Sequence, residues 1–145
     1  MDYWDTSALL KLYVLERDSD FFLDRIASAS EPISTSAIAS AEVLCALLRK
    51  EAAGDLKRGS ATWIFRRFGA DCRAGRIMLI PYGDDVMLEA EKLARAAYEG
   101  RRRIMVRSLD LIHVASALSA GARRMVATDK RLRSLAEASK LEVLP

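Results

Sequence analysis

Tyr3-Trp4-Asp5-Thr6-Ser7-Ala8-Leu9-Leu10-Lys11-Leu12 sets a carboxylate between a short aromatic segment and an apolar run at helical spacing. If Tyr3 and Trp4 belong to a buried strand, Asp5 lies at its C-terminal end. Open α/β sheets bind their ligands at that end. Thr6 and Ser7 can cap the following helix by accepting hydrogen bonds from its first free N–H groups. Taken alone, the stretch is equally consistent with an Asp5 that only helps to cap a helix.

Working outward, helical spacing continues over residues 8–15 and resumes in an amphipathic segment with Phe21, Phe22, Leu23 and Ile26. Pro32-Ile33-Ser34-Thr35-Ser36 is too short for a helix and reads as a strand. A helix is expected over 37–50, and another over 55–73 with Trp63, Ile64 and Phe68 on one side. Residues 76–81 read as a strand stopped by Pro81. Asp84 and Asp85 open a helix through Tyr98, where their charge complements its dipole, and Gly100 ends it before Arg101-Arg102-Arg103. Residues 108–120 are apolar almost all round, the mark of a buried helix, with Gly121 as its stop. A strand over 124–128 runs into Asp129, followed by a short basic helix over 130–138 and an edge strand over 141–144. Strands separated by helices imply an α/β protein: a three-layer α/β/α sandwich around a mostly parallel sheet of four to five strands.

The chain has 145 residues, half of them hydrophobic, with few Gly or Pro. That suits a single domain over residues 1–145, burying about two thirds of its unfolded surface. Cys45 and Cys72 show no metal-ligand spacing, which argues against a zinc site or a disulfide framework and suits a reducing cytoplasm. Each is expected to fill core space. No basic-then-apolar leader opens the chain, and no window approaches roughly 18 uninterrupted apolar residues, so neither secretion nor a membrane span is expected.

Four acidic residues stand out by their neighbours. Asp5 and Asp129 each follow a strand, on the same edge of a parallel sheet. Glu42 shares a helix face with Ile38, Cys45 and Ala46, and Asp110 lies in the first turn of the most hydrophobic helix. Singly, each has a structural explanation, as a dipole partner or a salt-bridge partner. Desolvated side by side, however, carboxylates repel until they take up protons unless a cation relieves them. All-oxygen ligation selects Mg²⁺ or Mn²⁺. Setting those four aside leaves 23 basic against 16 acidic residues, or +7. The basic residues cluster over 57–76, 95–107 and 123–133. An acidic site in basic surroundings suits metal-assisted hydrolysis of a polyanion, although any one basic cluster is equally an ordinary solvated helix face.

These segments resemble a known family. Residues 3–12 look like the opening motif of PIN-domain proteins, especially the VapC toxins of type II toxin–antitoxin systems. Ser40-Ala41-Glu42-Val43 is similar to the second acidic motif, residues 107–118 to the third and most specific, and residues 126–132 to the fourth. The resemblance covers nearly the whole chain and implies a Mg²⁺- or Mn²⁺-dependent endoribonuclease in the cytoplasm. Asp5 and Asp110 would be direct metal ligands, while Glu42 and Asp129 would ligate through water or orient the nucleophile. Thr6 or Ser7 would hydrogen-bond a ligand carboxylate. The family often places Thr or Ser two residues before the last Asp; here Ala127 stands there, with Thr128 adjacent. The resemblance further implies products with 5′-phosphate and 3′-hydroxyl ends, arginines steadying the phosphates, a cognate antitoxin whose tail fills the groove, a toxin homodimer and higher toxin–antitoxin assemblies. Residues 8–15 and 21–26 are candidate surfaces for these partners and equally candidate core.

His113 is a candidate general base, but as a lone histidine inside a buried helix it reads rather as a packing residue. A haloacid-dehalogenase-type phosphatase needs a second Asp where Ser7 stands, and no GxxxxGK[ST] or GxGxxG occurs. The competing class is a catalytically silent PIN-like RNA-binding or scaffold module.

Overall fold

In the computed structural model, which describes residues 1–99 and 103–145, Tyr3 and Trp4 point to opposite faces of strand β1 (Asp2–Trp4). Strand side chains alternate with period two, so adjacent aromatics serve two different cores. Tyr3 packs in a cluster with Val86, Leu93, Val114, Met125 and Leu135. Trp4 packs with Leu9, Phe22, Val43, Leu47 and Phe68, its ring edge-on to Phe22 at 6.0 Å. Both residues are fully buried.

The strands β2 (Ile33–Ser36), β3 (Ile77–Ile80), β4 (Arg124–Val126) and β5 (Glu142–Leu144) join β1 in one sheet of order β3-β2-β1-β4-β5. Every pairing is parallel. Four helices, α1 (Thr6–Leu10), α2 (Ser19–Ala27), α3 (Ala39–Ala52) and α4 (Ser60–Arg73), supply the cluster on the Trp4 face. Three more, α5 (Asp84–Glu99), α6 (Ser108–Ser119) and α7 (Lys130–Ala138), supply the cluster on the Tyr3 face. The expected three-layer α/β/α arrangement is therefore present, with five strands. Among the described residues no helix is long and apolar enough to cross a membrane.

The chain leaves β1 for β2 and β3 on one side and returns to β4 and β5 on the other. The strand order thus reverses between β1 and β4, which opens a crevice beyond their C-terminal ends. At the opposite edge Asp2 accepts from Arg25 (2.6 Å) and Arg124 (2.8 Å), tying α2 and β4 to β1. Helix α6 closes with Gly121 at φ 67°. There the N–H of Ala122 reaches Ala117 O (2.9 Å) and that of Gly121 reaches Leu118 O (2.9 Å), the paired bonds that glycine permits at this position.

Several expectations need correction. The helix expected over 8–15 ends at Leu10, because residues 11–13 tighten into i→i−3 bonds and Lys11 turns to pair with Glu16 and Asp18. The helix expected from residue 55 starts at Ser60, since Gly59 sits at φ 86°. Trp63 does not share the buried side of α4 with Ile64 and Phe68; it is exposed, with the Arg67 guanidinium 5.1 Å from its ring. Cys45 is exposed rather than core-filling, because Val43 and Leu47 take the inward positions of α3. Cys72 is half-buried against the Trp4-side core. The stretches 8–15 and 21–26, left open between partner surface and core, divide: Ala8, Leu9 and Phe22 are buried, Leu10, Leu12, Tyr13, Val14 and Ile26 pack partly buried against the Trp4-side core, and Leu15 and Phe21 are exposed. The expected stop at Gly100 and the arginines 101 and 102 lie outside the described residues.

Candidate functional site

Asp5 is the residue at which β1 becomes α1. Its extended backbone makes it the N-cap, and its Oδ1 accepts from Ala8 N at 2.8 Å. The expectation that Thr6 and Ser7 would cap the helix is thereby corrected. The strand ends at Trp4, so the cap position falls on Asp5, and the two hydroxyls are left free for other bonds. Ser7 Oγ stands 2.8 and 2.7 Å from the two Asp5 oxygens, and its single proton donates to one of them at a time. Ser7 Oγ in turn accepts from Thr128 Oγ1 (2.7 Å) and Thr128 N (3.2 Å). The Thr128 hydroxyl therefore reaches Asp5 through Ser7, while Ala127 is buried in the Tyr3-side core.

Thr6 serves a different carboxylate. Its Oγ1 donates to Glu42 Oε2, in the first turn of α3, and His113 Nε2 stands 2.7 Å from the same oxygen. A carboxylate only accepts, so the bonding pattern assigns the Nε2 proton to His113. In the neutral ring Nδ1 then accepts from the Tyr3 hydroxyl at 2.8 Å, and that hydroxyl accepts from Ser36 N at 2.9 Å. A buried relay thus runs from the backbone of β2 through Tyr3 and His113 to Glu42. His113 does pack in the core, as expected, and it also orients a candidate site carboxylate.

The remaining two acids share an arginine. Arg107 Nε donates to Asp110 Oδ2 (2.8 Å), and its Nη2 reaches both Asp110 Oδ1 (3.1 Å) and Asp129 Oδ2 (3.1 Å). Asp129 is the N-cap of α7, where its Oδ1 accepts from Arg131 N (2.9 Å) and Leu132 N (3.2 Å). Asp5, Glu42, Asp110 and Asp129, with Thr6, Ser7, Arg107 and His113, line one open cleft of about 570 Å³. Exposed Cys45 and Arg49, one and two turns along α3 from Glu42, line it as well.

The four carboxylates are not electrostatically alike. Burial pushes Asp5 up to about 6, against the Ala8 N–H, the Ser7 hydroxyl and the His113 ring, all of which favour its ionised form. Burial also disfavours the Glu42 anion, but the hydrogen bonds from His113 and Thr6, with the charge of Arg107, outweigh it and hold Glu42 below the usual range. Asp129 is likewise held low: the Leu132 and Arg131 N–H groups and the charge of Arg107 outweigh its partial burial. Burial raises the Tyr3 phenol well above its ordinary value, which suits a neutral donor to His113.

The donor set, carboxylate oxygens alone, suits a hard divalent cation such as Mg²⁺ or Mn²⁺ in chemistry. As the side chains stand, no three His, Cys, Asp or Glu among the described residues are grouped to hold one. Arg107 supplies the countercharge to Asp110 and Asp129, and His113 supplies a hydrogen-bond donor to Glu42. Arg107 and His113 were underread from sequence. Both lie three residues from Asp110, one before and one after, and so share its side of the helix start.

Four carboxylates thus line one cleft at the switch point of a parallel α/β sheet. The model of the PIN domain family matches residues 3–138, and the chain belongs to that family. No curated protein matches it in sequence. Solved structures share the fold at low identity. The VapBC2 complex of Rickettsia felis, bound to a DNA fragment from their promoter, has a chain matching at TM-score 0.70 and 15% identity, over 99% of this chain and 98% of that one. VapBC-1 of nontypeable Haemophilus influenzae matches at 0.68 and 15%, over 99% and 97%. FitAcB of Neisseria gonorrhoeae matches at 0.65 and 17%, over 100% and 97%.

Proposed function

We propose that this chain is a VapC-type toxin, a cytoplasmic endoribonuclease dependent on Mg²⁺ or Mn²⁺ and silenced by a cognate antitoxin. The observation that carries the reading is the convergence of Asp5, Glu42, Asp110 and Asp129 from four elements on one cleft at the sheet's switch point. Membership of the PIN domain family and folds shared with VapBC and FitAB chains support it.

Asp5 and Asp110 would hold the ion directly, with Glu42 and Asp129 reaching it through water. A bound divalent ion supplies an activated water and charge neutralisation at a phosphodiester. The protein's own groups do the rest. Ser7, bonded to Thr128, holds the Asp5 carboxylate in place. Thr6 and His113 fix Glu42, which would orient the attacking water. Arg107, largely exposed at the cleft, would pair with a phosphate of the substrate. Cleavage in this scheme leaves a 5′-phosphate and a 3′-hydroxyl.

The test is cleavage of RNA by the purified protein freed of any antitoxin. Mg²⁺ or Mn²⁺ should support cleavage, EDTA should stop it, and Asp5→Asn or Asp110→Asn should abolish it. Equal cleavage in EDTA would remove the metal assignment, and unimpaired variants would remove the site. If neither substitution relieved growth inhibition on expression, the toxin reading would fail. RNA binding without cleavage under either metal would mark a catalytically silent RNA-binding module instead.

A further inference from the structure

One guanidinium holds two of the four cleft carboxylates. Arg107 grips Asp110 with a two-pronged contact and extends the same Nη2 to Asp129, so three charge-assisted bonds span α6 and the cap of α7. The two ends differ in exposure. The Asp110 side chain is 10% exposed and the Arg107 side chain 59%. Asp110 is therefore anchored, whereas Arg107 reaches it from solvent and can leave without opening the core. Asp129 keeps its bonds to Arg131 N and Leu132 N whether or not Arg107 stays.

From this geometry we infer that Arg107 is a competing counter-ion for the cleft: it and a divalent cation neutralise the same pair of carboxylates, Asp110 and Asp129, and each displaces the other. The inference rests on the metal reading above and adds a residue that sets how tightly the ion is held. The Asp110 oxygens that Arg107 occupies are those the ion would bind directly, its contact to Asp129 Oδ2 takes the place of a bridging water, and a single positive charge beside the ion opposes its entry. Displacement leaves the guanidinium free at the cleft for an anionic group. An arginine that merely braced the ligands would act with the opposite sign, because its loss would loosen them and weaken metal binding.

The test needs no substrate. Mn²⁺ is titrated into the purified full chain, free of antitoxin, and binding is followed by calorimetry and by the Mn²⁺ electron paramagnetic resonance signal. Arg107→Gln should bind Mn²⁺ about tenfold more tightly, the order expected when one positive charge a few ångströms from a divalent ion is removed in near-aqueous surroundings. Arg107→Lys keeps the charge but not the fork, and should fall between the two. Arg49→Gln removes the same charge from the α3 residues lining the cleft and should shift affinity far less. Weaker or unchanged binding in Arg107→Gln, or an equal gain in Arg49→Gln, would overturn the competition while leaving the metal site standing. Absence of Mn²⁺ binding to wild type and variant alike would overturn both.

Discussion

Asp5→Asn should stabilise the fold at neutral pH while removing the proposed activity. The Asp5 carboxyl is moved from 3.8 to about 6, mainly by burial. A carboxyl whose folded pKa is raised costs stability once ionised. Below about pH 4 both folded and unfolded chains carry the proton and the cost is absent. It grows through pH 4–6 and is complete above that window. At about 1.4 kcal/mol per pH unit, the cost at pH 7.5 is about 3 kcal/mol. Asparagine removes the charge, and its carbonyl can keep the cap bond from Ala8 N, since Asn is as good an N-cap as Asp. Its amide can donate to Ser7 Oγ only if the Thr128 hydroxyl turns to accept from Ser7, because both Ser7 lone pairs now accept from Thr128; if it finds no partner, about 1–3 kcal/mol is lost again. The expected net gain is about 2 kcal/mol at pH 7.5, falling to near zero at pH 4. Urea unfolding of wild type and variant at both pH values, with EDTA present, measures the difference. Destabilisation at pH 7.5, or a gain of the same size at pH 4, would refute the burial argument for Asp5.

Thr128→Val removes the hydroxyl that donates to Ser7 and should cost about 1 kcal/mol by denaturant unfolding. Its effect should shrink in an Asp5→Asn background if the two act through Ser7, which a double-mutant cycle checks. Glu16 is held below the ordinary carboxylate range by its bonds to Lys11 and Lys50, against slight burial. It therefore adds stability above about pH 4.5 that is lost as pH falls through its lowered folded value. Glu16→Gln should cost less than about 1 kcal/mol at pH 7, given the solvent exposure of the pair, and nothing in acid or in molar salt. Phe22→Ala, which empties the space beside Trp4, should cost about 3–5 kcal/mol in thermal or urea unfolding.

Much of the framework was legible because parallel α/β chains announce themselves by alternation, and because Asp5 and Asp129 stand where strands end. Glu42 and Asp110 were visible as charges inside apolar helical patterns. The cap was misassigned for a local reason. Asp5, Thr6 and Ser7 are all competent caps, and only the end of pairing at Trp4 decides among them. The helix over 8–15 was overdrawn because i→i−3 turns carry almost the same apolar spacing as an α-helix. Cys45 is expected in the core from residue type, and Trp63 on one side with Ile64 and Phe68; the rotation of α3 and α4 about their axes, set by which face meets the sheet, puts both out. Arg107 could be read as basic but not as the partner of Asp129. That contact joins residues 22 apart through the packing of α6 against α7.

The middle strand of the sheet has a temporal meaning as well. β1 lies near the amino terminus, yet its partner β4 comes near the other end, and the bond between Ser7 and Thr128 closes a loop of 121 residues. Contacts of such long range form late, and a chain emerging from the ribosome holds β1 without one of its two neighbours until β4 has been made. Asp5 and Asp129 can face each other across the crevice only after translation has passed β4. A product stalled before β4 would therefore lack the Asp129 side of the cleft.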